Sequence, residues 1–448
     1  MSESFLNYFR CPAECCTFEP PAELGQNSGF FAFGPDLLLF GRSAIKVKSY
    51  PTDELQDAAN KVQVIDRCVR LPFDVSEIVS NFQFERYVCS EVRGAASTLV
   101  RDSYYGIRPM LPPWVRRHFQ KLYFRGWRDI KFPKWPIDDT LDRLYRDIMG
   151  RLIRARGEEI PFIWFWPDSH QSCCILTHDV EHQPGLQFSF ELLRIDQEHG
   201  FRSSFQLVPE QRYNVPLSLL EKIRSAGFEV NVHDINHDGH LFRDHAEFQR
   251  RAKRINKYAK EWGAKGFRAG SMYRNLDWIK ELNFEYDMSC PNAAHLEPQR
   301  GGCCSIMPFG VGSTIELPLT MTQDYTLYYI MGSYSTELWE RELETLIHSN
   351  GLIAFNIHPD YVVADHARRV YVQLLRLLSP LIESKRVWQA FPREVARWWQ
   401  QRSRLTLVRQ GSEWRICGEG AEKAQLAFAY VQDEQVRYRM QTYRSIAR

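Results

Sequence analysis

Two carboxylates separated by one residue, Asp179 and Glu181, close the apolar run CCILTHDVE. Of two such neighbours one can hold a cation while the other stays free to accept a proton from an attacking water. A carboxylate already committed to a cation is a poor base. Two histidines, His233 and His237, follow the run FEVNV, and their i, i+4 spacing puts two imidazoles on one side of a helical turn, where both reach a single ion. His358 ends LIAFNIHP. With an unperturbed pKa of about 6.5, it can carry and release a proton at neutral pH and so protonate a leaving amine. Arg268 in GFRAG, Asp287 in FEYDMS and Glu316 in TIELP are further polar residues at the ends of apolar runs. Each feature has a plainer reading: histidines that cap or hydrogen-bond, an acidic loop or helix N-cap, and a structural histidine before a proline.

The elements around these residues follow a regular alternation. From Cys173, short apolar runs alternate with amphipathic stretches: FRSSFQLVP precedes PLSLLEKIRSAG, and FEVNVHD precedes HAEFQRRAKRINKYAKEWG. Glycines at 200, 227, 263 and 351 stand where helix C-terminal caps belong. Repeated β-α units imply a mostly parallel sheet, either a barrel or an open doubly wound sheet. In both, polar residues at strand ends gather at one mouth. Residues 1–167 read as a separate mixed α and β region, with a strand-like PDLLLFGRS and a helical stretch over 138–156. Residues 168–403 form the α/β part, and 404–448 read as a small β appendage.

A chain of 448 residues can bury a metal site in a substantial core. Lys and Arg number 57 against 55 Asp and Glu, a balance that argues against nucleic acid as a partner. The start shows no basic segment followed by an apolar core, and no apolar run approaches the roughly 20 residues of a membrane span. The 11 cysteines include three adjacent pairs, poor geometry for a disulfide framework. These features predict a cytoplasmic protein with reduced thiols. One stretch, 113–136, mixes basic and aromatic residues; it suits either a peripheral contact with an anionic membrane or an arm packed on the barrel.

With these residues in order, residues 171–402 resemble the polysaccharide deacetylase (NodB-homology) superfamily, carbohydrate esterase family four. Thr177-His178-Asp179-Val180 resembles its Thr-Phe-Asp-Asp motif, His233-Asp234-Ile235-Asn236-His237 its His-Ser/Thr-x-x-His, and Arg268-Ala269-Gly270 its Arg-x-Pro. Leu352 through His358 resembles its last strand. The resemblance implies a distorted seven-stranded β/α barrel. It makes Asp179 the catalytic base, Arg268 the residue that orients it, His358 the acid and Asp287 the partner of His358. Val180 stands where a ligand Asp is usual, and the Asp-x-Asp spacing of some members makes Glu181 the third ligand beside His233 and His237. Zinc is the expected cation, with cobalt, nickel or iron also suited. The implied activity removes N-acetyl groups from an amino-sugar glycan or its precursor, in exopolysaccharide or cell-envelope metabolism. Two alternatives are a non-catalytic glycan-binding scaffold on a degenerate barrel, motivated by Val180 and Gly270, and a hydrolase of small cyclic or formyl amides.

Overall fold

The computed structural model describes residues 3–21, 23–52, 54–88 and 122–441. Of the basic aromatic stretch, residues 113–121 lie outside these. The chain forms two compact units, each drawn from separated stretches. One comprises Met1–Tyr87, Asp139–His170 and Trp398–Arg448, the other Val88–Asp138 and Gln171–Arg397. The three consecutive stretches expected from texture are thus joined differently in space. Strand pairing is the reason: Leu426–Gln432 pairs antiparallel with Ile160–Ile163 on one side and Gln435–Met440 on the other, so the C-terminal strands share a sheet with residues far upstream.

The first unit also holds the hairpin Gly29–Ala32 with Leu38–Gly41 and the helix Thr140–Arg156. Its buried Arg402 donates to the carbonyls of Tyr8, Phe9, Ile163 and Trp164, which satisfies a guanidinium that water cannot reach.

The second unit is built on one nine-stranded sheet: β1 (Ser172–Val180), β2 (Ser203–Leu207), β3 (Glu229–His233), β4 (Gly266–Arg268), β5 (Tyr286–Asp287), β6 (Phe309–Val311), β7 (Thr314–Glu316), β8 (Leu352–Asn356) and β9 (Val387–Gln389). The order is β6, β7, β5, β4, β3, β2, β1, β8, with β9 also against β1; all pairings are parallel except β6 with β7. Its helices include α1 (Gln183–Glu198), α2 (Leu217–Ser225), α3 (His245–Trp262), α4 (Glu337–His348), α5 (Pro359–Val362) and α6 (Asp365–Glu383). Between β7 and β8 the segment at Thr320 and Met321 closes the gap. Met321 N donates to Ala354 O at 3.2 Å, and Thr320 Oγ1 donates to Leu352 O at 2.6 Å. The result is a distorted α/β barrel, as the family resemblance implied, and not the open doubly wound sheet that the alternation also allowed.

Period-two alternation sorts the strand residues. Val230 and Val232 enter an apolar core with Phe205, Leu207, Leu220 and Ile223 of α2, and Phe248 and Ile255 of α3. Glu229, Asn231 and His233 take the opposite, interior face. That interior is polar, and Asn231 is bonded at both ends of its amide: it donates to Ser204 Oγ and Tyr286 Oη, both at 2.7 Å, and accepts from Gly266 N at 2.7 Å. Gly200, Gly227 and Gly263 end their helices with φ of 76°, 87° and 60°; after α4 that conformation falls to Asn350, φ 58°, and not to Gly351.

The described part of the basic aromatic stretch packs within the second unit. Tyr123 Oη donates to Pro298 O at 3.2 Å, and His295 Nε2 lies 2.7 Å from Pro133 O. No cysteine among the described residues is in a disulfide. No helix among the described residues is long and apolar enough to cross a membrane.

Candidate metal centre

The end of β1 carries the two carboxylates. Residues i and i+2 of a strand share a face, so Asp179 and Glu181 both turn into the barrel mouth while His178 and Val180 turn to the helices. His178 is held there between Asp196, 3.0 Å from Nε2, and the Ile357 carbonyl, 3.0 Å from Nδ1. Val180 is fully buried in the apolar core. Its place in the motif is therefore a packing position. Val180→Asp should lower stability by roughly 4 kcal/mol or more, since it strands a carboxylate among alkyl groups. A melting temperature lower by on the order of 10 °C with no gain in bound metal is the expected readout; an unchanged melt would contradict this placement.

His233 closes β3, and His237 follows a turn rather than the helical turn expected from its spacing. Asp234 and His237 take positive φ, 56° and 53°, which folds the chain back so that both rings face Glu181. The His233 Nδ1 lies 3.1 Å from Arg268 O, so it carries the proton and leaves the Nε2 lone pair facing inward. Burial holds the His233 pKa down to about 4, outweighing the Asp179 carboxylate, so the ring is neutral at pH 7. His237 Nε2 stands 3.0 Å from Glu181 Oε1. Burial pushes the Glu181 carboxyl up, but His237 and His358 outweigh it and hold it well below the usual range. One ligand atom from each of Glu181, His233 and His237 lies within 4.8 Å of the others. His233 Nε2 and both His237 ring nitrogens are buried without a hydrogen bond. Imidazole nitrogens without hydrogen bonds beside an ionised carboxylate are the donor set of a divalent transition metal, so these three residues can hold one.

Asp179 stands beside this trio, its Oδ2 3.8 Å from His233 Nε2. Arg268 Nη1 donates to Asp179 Oδ1 at 2.9 Å and to Thr177 Oγ1 at 2.8 Å, while Arg268 Nε donates to Met288 O at 3.0 Å. Asn356 Nδ2 donates to Asp179 Oδ2 at 2.8 Å. Burial alone would raise this carboxyl's pKa, and Arg268, with His233, His358 and the Asn356 amide, more than reverses it, holding Asp179 below the usual carboxylate value.

His358 faces the same space from β8, its Nε2 3.9 Å from Glu181 Oε1. Its expected partner is not Asp287. Asp324 accepts from His358 Nδ1 at 2.7 Å and from His358 N at 2.8 Å. The register of the sheet explains why Asp287 is elsewhere: β5 sets it opposite Glu316 of β7, and its Oδ1 accepts from Ser289 Oγ at 2.7 Å. Burial raises the pKa of both carboxyls, and Asp287 lifts Glu316 further. Burial of His358 disfavours its charge, yet Asp324 overrides this and raises its pKa to about 10.

Gly270 has a steric cause. A Cβ there would lie 2.4 Å from Asp234 Oδ2 and 3.0 Å from His237 Cδ2, so the proline of the family pattern has no room.

Solved structures similar to this chain include polysaccharide and peptidoglycan deacetylases. A Mycobacterium smegmatis protein assigned to that class aligns at 18% identity over 56% of this chain and 98% of its own, TM-score 0.44. The Bacillus subtilis peptidoglycan deacetylase PdaC aligns at 12% identity over 52% and 95%, TM-score 0.34. An allantoinase, PuuE, aligns at 12% identity over 52% and 92%, TM-score 0.42. No family model matches the sequence, and no curated protein does. Likeness at this level carries no chemistry, which rests on the side chains.

Two polar residues at the site were not singled out from the sequence. Asn356 had a signal: it interrupts the apolar run LIAFNIH two residues before His358, the spacing of one strand face. Asp324 had none, because TMTQD reads as loop and its approach to His358 depends on how the segment after β7 closes the barrel.

Proposed function

We propose that this protein is a metal-dependent amide hydrolase that removes N-acetyl groups from amino-sugar units of a glycan or glycan precursor. The observation that carries this reading is the convergence of Glu181, His233 and His237 to within 4.8 Å. Asp179 and His358 flank that trio, each tied to a partner that fixes its protonation state. A divalent cation held by the three, zinc first and cobalt, nickel or iron also suited, would polarise the amide carbonyl.

The protein's own residues do the rest. Asp179, ionised by Arg268 and oriented by Asn356, takes a proton as water oxygen bonds to the acyl carbon. His358, charged through Asp324, gives its Nε2 proton to the amide nitrogen as the carbon–nitrogen bond breaks, releasing acetate and the amine. Glu181 and Asp179 thus divide the work of holding and accepting. The test is acetate release by purified protein from N-acetylhexosamine oligosaccharides, with and without added zinc. Protein carrying stoichiometric zinc that releases no acetate from any of them would sink the proposal.

The pH dependence gives a second check. An acid works only while protonated, so with the His358 pKa raised to about 10 the rate persists above neutrality and falls as pH rises through that value. Asp324→Asn removes the strongest of the groups that raise it, leaving Glu181 and Asp179 against burial, which continues to lower it. The alkaline limb of kcat/KM should move to lower pH by at least about one unit. An unmoved limb would mean that His358 is not the acid.

A further inference from the structure

Helix α1 begins without a side-chain cap of its own. His182 at the N-cap position makes no capping bond, and Pro184 in the first turn has no N–H. The remaining donor that a cap would accept, the N–H of the third helical residue, belongs to Gly185. Asp360, two residues beyond His358, meets it from across the barrel mouth. Its Oδ1 accepts from Gly185 N at 3.1 Å and its Oδ2 from Glu181 N at 3.0 Å. Gly185 leaves room for this carboxylate, since a Cβ there would stand 2.2 Å from Asp360 Oδ2. From the other side Tyr213 Oη donates to Val180 O at 2.5 Å and accepts from Val208 N at 2.8 Å. The backbone at 180–181 is therefore pinned on both sides.

We infer that Asp360 is a positioning residue for Glu181, locking the backbone of the metal ligand to the short helix that follows His358. The inference rests on the metal-centre reading and deepens it. A glutamate side chain has one more rotatable bond than an aspartate, so its carboxylate is placed only as well as its backbone is. Asp360 supplies that placement. It also fixes the spacing between the cation and the acid, because one carboxylate spans both chain segments.

Asp360→Asn keeps the shape and replaces one acceptor oxygen by an amide that turns its own N–H towards a backbone donor. Zinc affinity, measured by competition with a chromophoric chelator, should fall by about 10- to 100-fold, the usual effect of losing an outer-shell partner. The visible spectrum of the cobalt-loaded protein should change as well, a signature of ligand geometry that loss of a helix cap alone would not move. Gly185→Ala, which displaces the same carboxylate by contact, should weaken zinc in the same direction. Unchanged zinc affinity in the folded variants would overturn the inference, whatever their melting temperatures. A wild-type protein that binds no zinc would instead overturn the metal-centre reading.

Discussion

Asp179→Asn is expected to lower amide hydrolysis by roughly 10²- to 10⁴-fold, the range that a positioned general base supplies, and to leave zinc content at the wild-type level. The substitution suits the question because it disturbs little else. Asparagine still offers Oδ1 to Arg268, so the buried guanidinium keeps an acceptor beside Thr177 Oγ1. The new amide meets Asn356 Nδ2, a donor; rotation of the Asn356 amide would present its Oδ1, which is buried without a hydrogen bond. What asparagine cannot do is take up a proton. Full zinc with a rate near wild type would remove Asp179 from the chemistry, whereas loss of zinc would make it a ligand.

His237→Ala should have the other large effect, and of the opposite kind. It removes a ring whose Nε2 lies 3.0 Å from Glu181 Oε1 and whose nitrogens have no hydrogen bond. The zinc affinity should fall by more than the roughly 10- to 100-fold that an outer-shell change costs, and hydrolysis should fall with it. Elemental analysis after dialysis is the measurement. Because His237 and Asp179 lie on either side of one division of labour, the pair is diagnostic: one variant keeps metal and loses rate, the other loses both. A His237→Ala protein that retains one equivalent of zinc and the wild-type rate would end the proposed centre. In the metal-free protein Glu181 owes its low pKa first to His237, so removing the ring also lets burial raise that carboxyl towards its neutral form.

Local sequence carries the strands and the helices, because alternation and amphipathic period are set by backbone geometry. From it follows the gathering of Asp179, Glu181 and His233 at strand ends, whereas the outward placement of His178 and Val180 came from the structure. The α/β class follows for the same reason. The order of the strands around the barrel, and hence which polar ends meet, is a matter of long-range pairing. Asp287 and Asp324 both stand after the first four strands and are both acidic; only the register of β5 against β7 sends one to Glu316, and only the closure near Met321 brings the other to His358. Likewise, nothing near Ile160–Ile163 announces that its partner strand begins at Leu426. Residue types and short spacings determined what chemistry was available to this protein; tertiary structure alone decided the partners of its acid, the cap on Glu181 and the space at Gly270, since each is a contact between segments that no local period relates.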